Sequence, residues 1–188
     1  RVIRKKRKKG ETYTDRLLWG DEYITEKLYS LDYRIRFADF FQNNTLQAEE
    51  MIRYVIDNID QQSETLLDLY CGVGTFTLPL AKSLENTKIT GVELVQTAID
   101  SADENAHLNG IESITFICED VGKTLEEIEN GGYSTIVVDP PRAGLTKKVV
   151  DSINKSQASQ VIYISCNPST LARDLVSLKE EYTIKTFQ

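Results

Sequence analysis

The sequence predicts an α/β protein with a mostly parallel, doubly wound sheet. Three observations point there. Short apolar runs of strand length recur between residues 65 and 164. Segments of helical length separate them. Strands alternating with helices imply right-handed βαβ units and a sheet covered on both faces.

The expected strands are 65–69, 88–92, 113–118, 134–138 and 160–164, with helices at 75–84, 95–108, 121–129, 145–155 and 168–179. Upstream, 45–58 reads as a helix with Leu46, Met51, Ile52, Val55 and Ile56 in a rough stripe and Thr45 as its cap. Residues 11–42 hold short β-like stretches such as Tyr33-Arg-Ile-Arg36, and Tyr182–Phe187 reads as a last strand. Residues 1–44 are expected to lead into the core as a basic and β segment, and 45–188 to form a ligand-binding domain cut off at its C-terminal edge.

The 188 residues, with 40% hydrophobic and 27% charged, exclude fibrous, collagen-like and wholly disordered chains. No apolar run reaches the roughly 18 residues of a membrane helix. The N-terminus is a basic run without an apolar stretch behind it, so no signal peptide is expected. Cys71, Cys118 and Cys166 have no metal-like spacing, and an odd number argues against a disulfide framework; a reducing, cytoplasmic setting is the expectation. Net charge is −7, yet seven of the first nine residues are basic. Such an arm suits either phosphate contact or a frayed terminus, while the acidic body argues against a large non-specific nucleic-acid surface.

Three loops carry candidate chemistry. The first, Asp68-Leu-Tyr-Cys-Gly-Val-Gly-Thr-Phe76, follows a strand and opens a helix. Gly72 and Gly74 allow a tight turn and close approach of a ligand to backbone. The next strand ends at Glu93, 19 residues beyond Gly74, where an acid suits a ribose diol. NAD and S-adenosylmethionine both fit this pattern. Position 77 is Thr rather than a third glycine, and Asp68 precedes the loop; a carboxylate there suits a cationic ligand and repels a pyrophosphate, so both features favour the methyl donor.

The second loop, Val137-Val-Asp-Pro-Pro-Arg-Ala-Gly144, uses consecutive prolines to hold Asp139 at the sheet edge. Arg142 can pair with phosphate or a base carbonyl. In the third, Ser165-Cys-Asn-Pro168, Asn167 fits an N-cap and Pro168 a first helical position. Cys166 therefore precedes a helix N-terminus, whose positive end favours a thiolate nucleophile. Cys118 ends an apolar run and is expected in the core; Cys71 is expected to pack rather than react, and His107 to lie on a helix surface.

Taken together, these motifs and Phe40-Phe-Gln-Asn-Asn44 resemble the S-adenosylmethionine-dependent RNA uracil-C5 methyltransferases, over about residues 31–178. The resemblance implies a Rossmann-like class I methyltransferase fold, 5-methyluridine formation in 23S rRNA (favoured) or tRNA, and no membrane partner. It implies that Gln42, Tyr70, Glu93, Asp139 and, after the third strand, Asp120 contact the methyl donor beside Gly72 and Gly74, that Arg142 meets substrate, and that Cys166 is the nucleophile. Thr75 stands where many members carry Asn. The family's proton-abstracting Glu lies beyond the last strand found here, Glu180 and Glu181 do not match its motif, and the RNA-binding β-barrel and cysteine cluster of some members have no counterpart. The chain thus reads as a catalytic core truncated at both ends. The alternatives are an RNA cytosine-C5 methyltransferase, which calls for a Cys in the motif after strand four; an amino-methyltransferase, which calls for an aromatic at Arg142; an NAD-binding oxidoreductase domain; and a pure RNA-binding module, which leaves the three loops unexplained.

Overall fold

The computed structural model describes residues 17–178 and 181–188. The basic arm at 1–9 lies outside the described residues. A hairpin of β1 (Tyr23–Leu28) and β2 (Leu31–Arg36) comes first, followed by α1 (Thr45–Asn58). Then come β3 (Thr65–Leu69), α2 (Thr77–Ser83), β4 (Lys88–Glu93), α3 (Gln96–Leu108), β5 (Ile114–Cys118), α4 (Leu125–Asn130), β6 (Thr135–Val138), α5 (Lys147–Lys155), β7 (Gln160–Tyr163) and α6 (Pro168–Leu178). The strands β3–β7 form one sheet in the order β5-β4-β3-β6-β7, every pairing parallel. The expected α/β fold is therefore the observed one.

Alternation along the strands sorts their side chains onto two faces. Leu66, Ile89, Phe116, Val137 and Ile162 join a core shared with α1, α2 and the hairpin. Leu67, Leu69, Val92, Ile136 and Val138 join the core under α4 and α5. Gly91 makes this packing possible on β4. A Cβ there would lie 2.8 Å from the Phe116 ring and 3.0 Å from Cys71 Sγ.

The hairpin belongs to the first core. Leu31, Tyr33 and Ile35 alternate inward. The outward Arg34 and Arg36 both pair with Glu104 of α3, Arg34 at 2.6 Å. Asn105 of α3 and Asn109, which caps that helix one turn later, hydrogen-bond the β2 backbone: Arg34 N donates to Asn105 Oδ1 (2.8 Å) and Asp32 N to Asn109 Oδ1 (2.9 Å). The edge of β2 is thereby satisfied by side chains.

Several boundaries differ from expectation. Asn44, not Thr45, caps α1 by accepting from Gln47 N (3.2 Å). Leu46 is exposed; the buried stripe is Ala48, Ile52 and Val55. The start of α4 moves to Leu125 because Asp120 organises a turn: Gly122 N donates to its Oδ1 (2.7 Å) and Lys123 N to its carbonyl (2.7 Å). Residues 182–187 are not a strand. The Tyr182 hydroxyl lies 3.2 and 3.1 Å from the carbonyls of Ile153 and Ala158, and Thr186 Oγ1 lies 2.6 Å from Tyr54 of α1, so side-chain contacts rather than a ladder place this segment. Cys118 is half-buried, not core, because β5 is the sheet's outer strand. No helix among the described residues is long and apolar enough to cross a membrane.

Gly91→Ala is expected to destabilise the fold by about 1–3 kcal/mol through overpacking. The urea unfolding midpoint measures this, and a variant as stable as the parent would contradict the packing described for Phe116 and Cys71.

Candidate active site

The strand order reverses between β3 and β6, and this crevice outside the carboxyl ends is where open α/β sheets bind ligands. β3 ends in an abrupt turn. Tyr70 N and Cys71 N both donate to the carbonyl of Val92 on β4 (2.9 and 3.1 Å). Tyr70 then takes a left-handed φ of +67°, uncommon for a non-glycine residue. Gly72 (φ +55°) and Gly74 (φ +85°) continue the turn. A Cβ on Gly74 would collide with Leu78, so that glycine is required for close packing of α2 as well as for its dihedral.

Glu93, at the end of β4, reaches this loop. Its Oε2 accepts from Gly72 N (3.2 Å) and its Oε1 from Val95 N (3.0 Å). Each oxygen keeps a lone pair, so the half-buried carboxylate can still accept from a vicinal diol. Tyr70 is held among acids: burial raises its hydroxyl pKa, and the charges of Asp120, Asp174 and Glu93 raise it further. Asp120 is exposed. Gln42 is half-buried and follows Phe41, whose ring packs 5.3 Å from that of Tyr33; the Tyr33 hydroxyl in turn donates to Gly74 O at 3.5 Å. The segment preceding α1 is thus tied to the glycine loop.

Asp68 departs from its expected role. It is 1% exposed and lies within β3, where the Thr77 hydroxyl donates to its Oδ2 at 2.5 Å. Burial pushes its pKa up to about 7; the Thr77 bond opposes that rise, and the charges of Asp139 and Glu93 add to it. Asp68 therefore anchors the start of α2 and does not present an open carboxylate at the loop mouth. Asp139 follows β6, its N–H donating to Leu69 O (3.3 Å), and burial raises its pKa to about 6.

The loops after β6 and β7 are bound to each other. The carbonyl of Arg142 accepts from Asn167 Nδ2 (3.1 Å) and Thr170 Oγ1 (3.3 Å). Asn167 Oδ1 accepts from Ser169 N (3.1 Å), the expected capping bond at the start of α6. Cys166, next to Asn167, is exposed, whereas Cys71 is buried and its thiol pKa is raised by burial and by Asp68 and Glu93. Arg142 is exposed. Sequence reasoning missed Gly144, Arg173 and Asp174, which grip the Arg142 loop from behind. The only local signal was an Arg-Asp pair in the helix after the Cys166 motif. A cavity of about 440 Å³ is lined by residues 61–64 and 83–87, away from these loops, and one of about 430 Å³ lies between α5 and α6, bordered by Leu145, Arg173 and Asp174. Among the described residues no cluster could hold a metal ion.

The sequence profile of the tRNA (uracil-5-)-methyltransferase family matches residues 7–188. The chain belongs to this family. Among relatives, a tRNA (uracil(54)-C(5))-methyltransferase of Pyrococcus horikoshii is 38% identical over 89% of the chain and 38% of its own length. An uncharacterized RNA methyltransferase of Clostridium acetobutylicum is 39% identical over 86% of the chain and 35% of its own. The solved structure of Pyrococcus abyssi tRNA (uracil-54, C5)-methyltransferase in complex with S-adenosyl-L-homocysteine superposes with a TM-score of 0.78 at 36% identity, over 89% of this chain and 39% of that one. A SAM-dependent methyltransferase of Agrobacterium tumefaciens, at 19% identity and a TM-score of 0.65 over 94% of this chain and 64% of that one, shares the fold. This family member thus spans well under half the length of the curated relatives it matches.

Asp68 and Asp139 give a signed pH dependence. An unfolded Asp titrates near ~3.9. Both folded values are raised, so the folded chain holds these protons more tightly. Their stabilising effect is full below about pH 4 and declines as pH rises, through about 6 for Asp139 and about 7 for Asp68, and is flat above that. Asp68→Asn, which keeps an acceptor for Thr77, is expected to flatten the fall in melting temperature between pH 5 and pH 8. An unchanged slope would show that Asp68 is not the titrating group.

Proposed function

We propose that the protein transfers a methyl group from S-adenosylmethionine to C5 of a uridine in RNA, with Cys166 as covalent nucleophile. The observation that carries this is the bonding of Asn167 and Thr170 to the Arg142 carbonyl, which sets the exposed Cys166 beside the Asp139–Arg142 loop at the edge where Glu93 meets the glycine loop. The residues fit the donor. Glu93 keeps two lone pairs for the ribose hydroxyls, the glycine loop admits a close ligand, and acidic Asp139 and Asp120 suit a sulfonium cation. Gln42, Tyr70, Gly72 and Gly74 complete the set that would hold it. Residues 45–188 are read as the donor-binding domain and 1–44 as its lead-in. Free cysteines suit a reducing, cytoplasmic setting.

The chemistry follows from the ring. Uracil C5 is a poor nucleophile. Addition of Cys166 Sγ to C6 moves the C5–C6 electron pair toward C5 and the carbonyl beside it. S-adenosylmethionine supplies the electrophilic methyl group that C5 takes. Asp139 and Arg142 orient the base, since in-line transfer depends on near-attack geometry. Loss of the C5 proton to a base re-forms the double bond and expels the thiolate; this step calls for a base beyond the residues named here. The sequence resemblance favours 23S rRNA, and the two Pyrococcus relatives are named for tRNA, so both RNAs are arms of the test.

Calorimetric titration with S-adenosylmethionine is expected to saturate, with NAD silent. Glu93→Ala is expected to weaken binding about 10- to 100-fold, the loss of charge-assisted hydrogen bonds worth about 1.5–3 kcal/mol. NAD binding alone would sink this reading. RNA carrying 5-fluorouridine has no C5 proton to lose, so with donor present it is expected to leave an adduct stable to denaturation that Cys166→Ser abolishes. Donor binding without an adduct on either RNA would remove the covalent uridine route.

A further inference from the structure

The loop that carries Arg142 is held at Arg142 by Asn167 and Thr170, and at its two ends by contacts of different kind. At its start, Asp139 N is fixed to the sheet through Leu69 O. At its end, the loop depends on one helix turn of α6. Asp174 is 3% exposed, and its Oδ2 accepts from Leu145 N (2.8 Å) and from the Tyr163 hydroxyl (2.7 Å). Its Oδ1 accepts from Arg173 Nε (2.8 Å), and Arg173 Nη2 donates to the carbonyls of Ala143 (2.9 Å) and Leu145 (3.2 Å). One acid and its neighbour therefore hold both the N–H and the C=O side of residues 143–145.

Gly144 shows how closely this clamp fits. Its φ is +75°, and a Cβ there would lie 2.5 Å from Asp174 Oδ2 and 2.6 Å from Arg173 Nη2. A cavity of about 430 Å³ lies beside Leu145, bounded by Val150 of α5 and Ser177 of α6. Leu145 itself packs into the core with Val149 and Val150, and the backbone around it is held by the hydrogen bonds above. The helix that makes the clamp begins right after Cys166, so the nucleophile and the Arg142 loop share one rigid support.

We propose that Asp174 is a positioning residue that, with Arg173, sets Arg142 relative to Cys166 for the RNA-dependent step. This rests on the uridine-methylation reading above. It assigns Asp174 no contact with substrate or donor. The donor-side residues Glu93 and Gly72 are outside the clamp, and Asp174 acts on Tyr70 through its charge, so its loss is expected to fall mainly on the RNA side.

The test uses the 188-residue chain, S-adenosylmethionine titration, and the rate of adduct formation with 5-fluorouridine RNA at saturating RNA, for wild type, Asp174→Ala, Asp174→Asn, Arg142→Ala and the Asp174→Ala/Arg142→Ala pair. Asp174→Ala is expected to bind donor within about twofold of wild type and to form adduct roughly tenfold or more slowly, since small misplacements cost that much. Asp174→Asn keeps an oxygen for Leu145 and Tyr163 and is expected to fall between the two. In the Arg142→Ala background, Asp174→Ala is expected to cause no further loss, because residues acting through one another are not additive. Losses that multiply, or an Asp174→Ala rate equal to wild type, overturn the proposal. If Asp174→Ala loses donor binding through misfolding, a wild-type rate in a donor-binding Asp174→Asn overturns it instead. A wild type that binds donor and forms no adduct on either RNA is a failure of the uridine reading, visible before any variant is compared, and the proposal falls with it.

Discussion

The carbonyl of Val92 and the carbonyl of Leu69 determine where the glycine loop and the Asp139 loop leave the sheet. The first takes two successive N–H groups, of Tyr70 and Cys71, and so turns the chain sharply at the end of β3. The second takes Asp139 N and starts the next loop at the same level. Because β3 is the central strand, both loops open on the crevice where the strand order reverses. Glu93 then joins the turn through Gly72 N, and Tyr33 and Phe41 connect the hairpin segment to Gly74. The positive φ of Tyr70 follows from this geometry: the paired N–H bonds leave no extended path for the residue after β3.

The electrostatics of this edge are one-sided. No ion pair among the described residues involves Asp68, Glu93 or Asp139. Burial raises the pKa of Asp68 and Asp139, which means that the folded chain resists carrying their charges. Glu93 differs because two backbone N–H groups face its oxygens. A cation entering this crevice would offset the desolvation of the acids, whereas a pyrophosphate would add to the repulsion. This discriminates between ligand classes without relying on Asp68 as a direct contact, since Asp139 and Glu93 carry the same sign at the loop itself.

What was legible in the sequence was what depends on local pattern. The strands β3 to β7 fall within a residue or two of the apolar runs, because a strand buried on both faces must be apolar along its length. The loops were legible because glycine permits left-handed backbone and proline fixes φ wherever they stand. What failed depended on distant contacts. Residues 182–187 alternate like a strand, yet Tyr182 and Thr186 bond to α5, the loop after it and α1. Asp68 looked like a loop acid because a linear reading cannot show that its carboxyl meets Thr77 nine residues on. Arg173 and Asp174 were invisible for the same reason: Asp174 meets Leu145 across 29 residues, and neither residue stands in a motif.

That invisibility follows from how the clamp works. A polar residue at the surface of a helix leaves the helical period unchanged, so sequence pattern records it as solvated. Its buried state depends on Gly144, which alone leaves room for the carboxylate at 2.5 Å from where a Cβ would be. The glycine, the acid and the arginine form one unit, because a side chain at 144 would displace Asp174 and leave the Leu145 N–H, the Tyr163 hydroxyl and Arg173 with unsatisfied groups. The same unit explains why burial and the Asp174 bond both raise the pKa of the Tyr163 hydroxyl: it is held as a donor at the end of β7, the strand that delivers Cys166. One buried carboxylate therefore ties the end of β7, α6 and residues 143–145 to one another, while Asn167 and Thr170 hold the Arg142 carbonyl just upstream, so the shape of this edge depends on a group that no motif makes conspicuous.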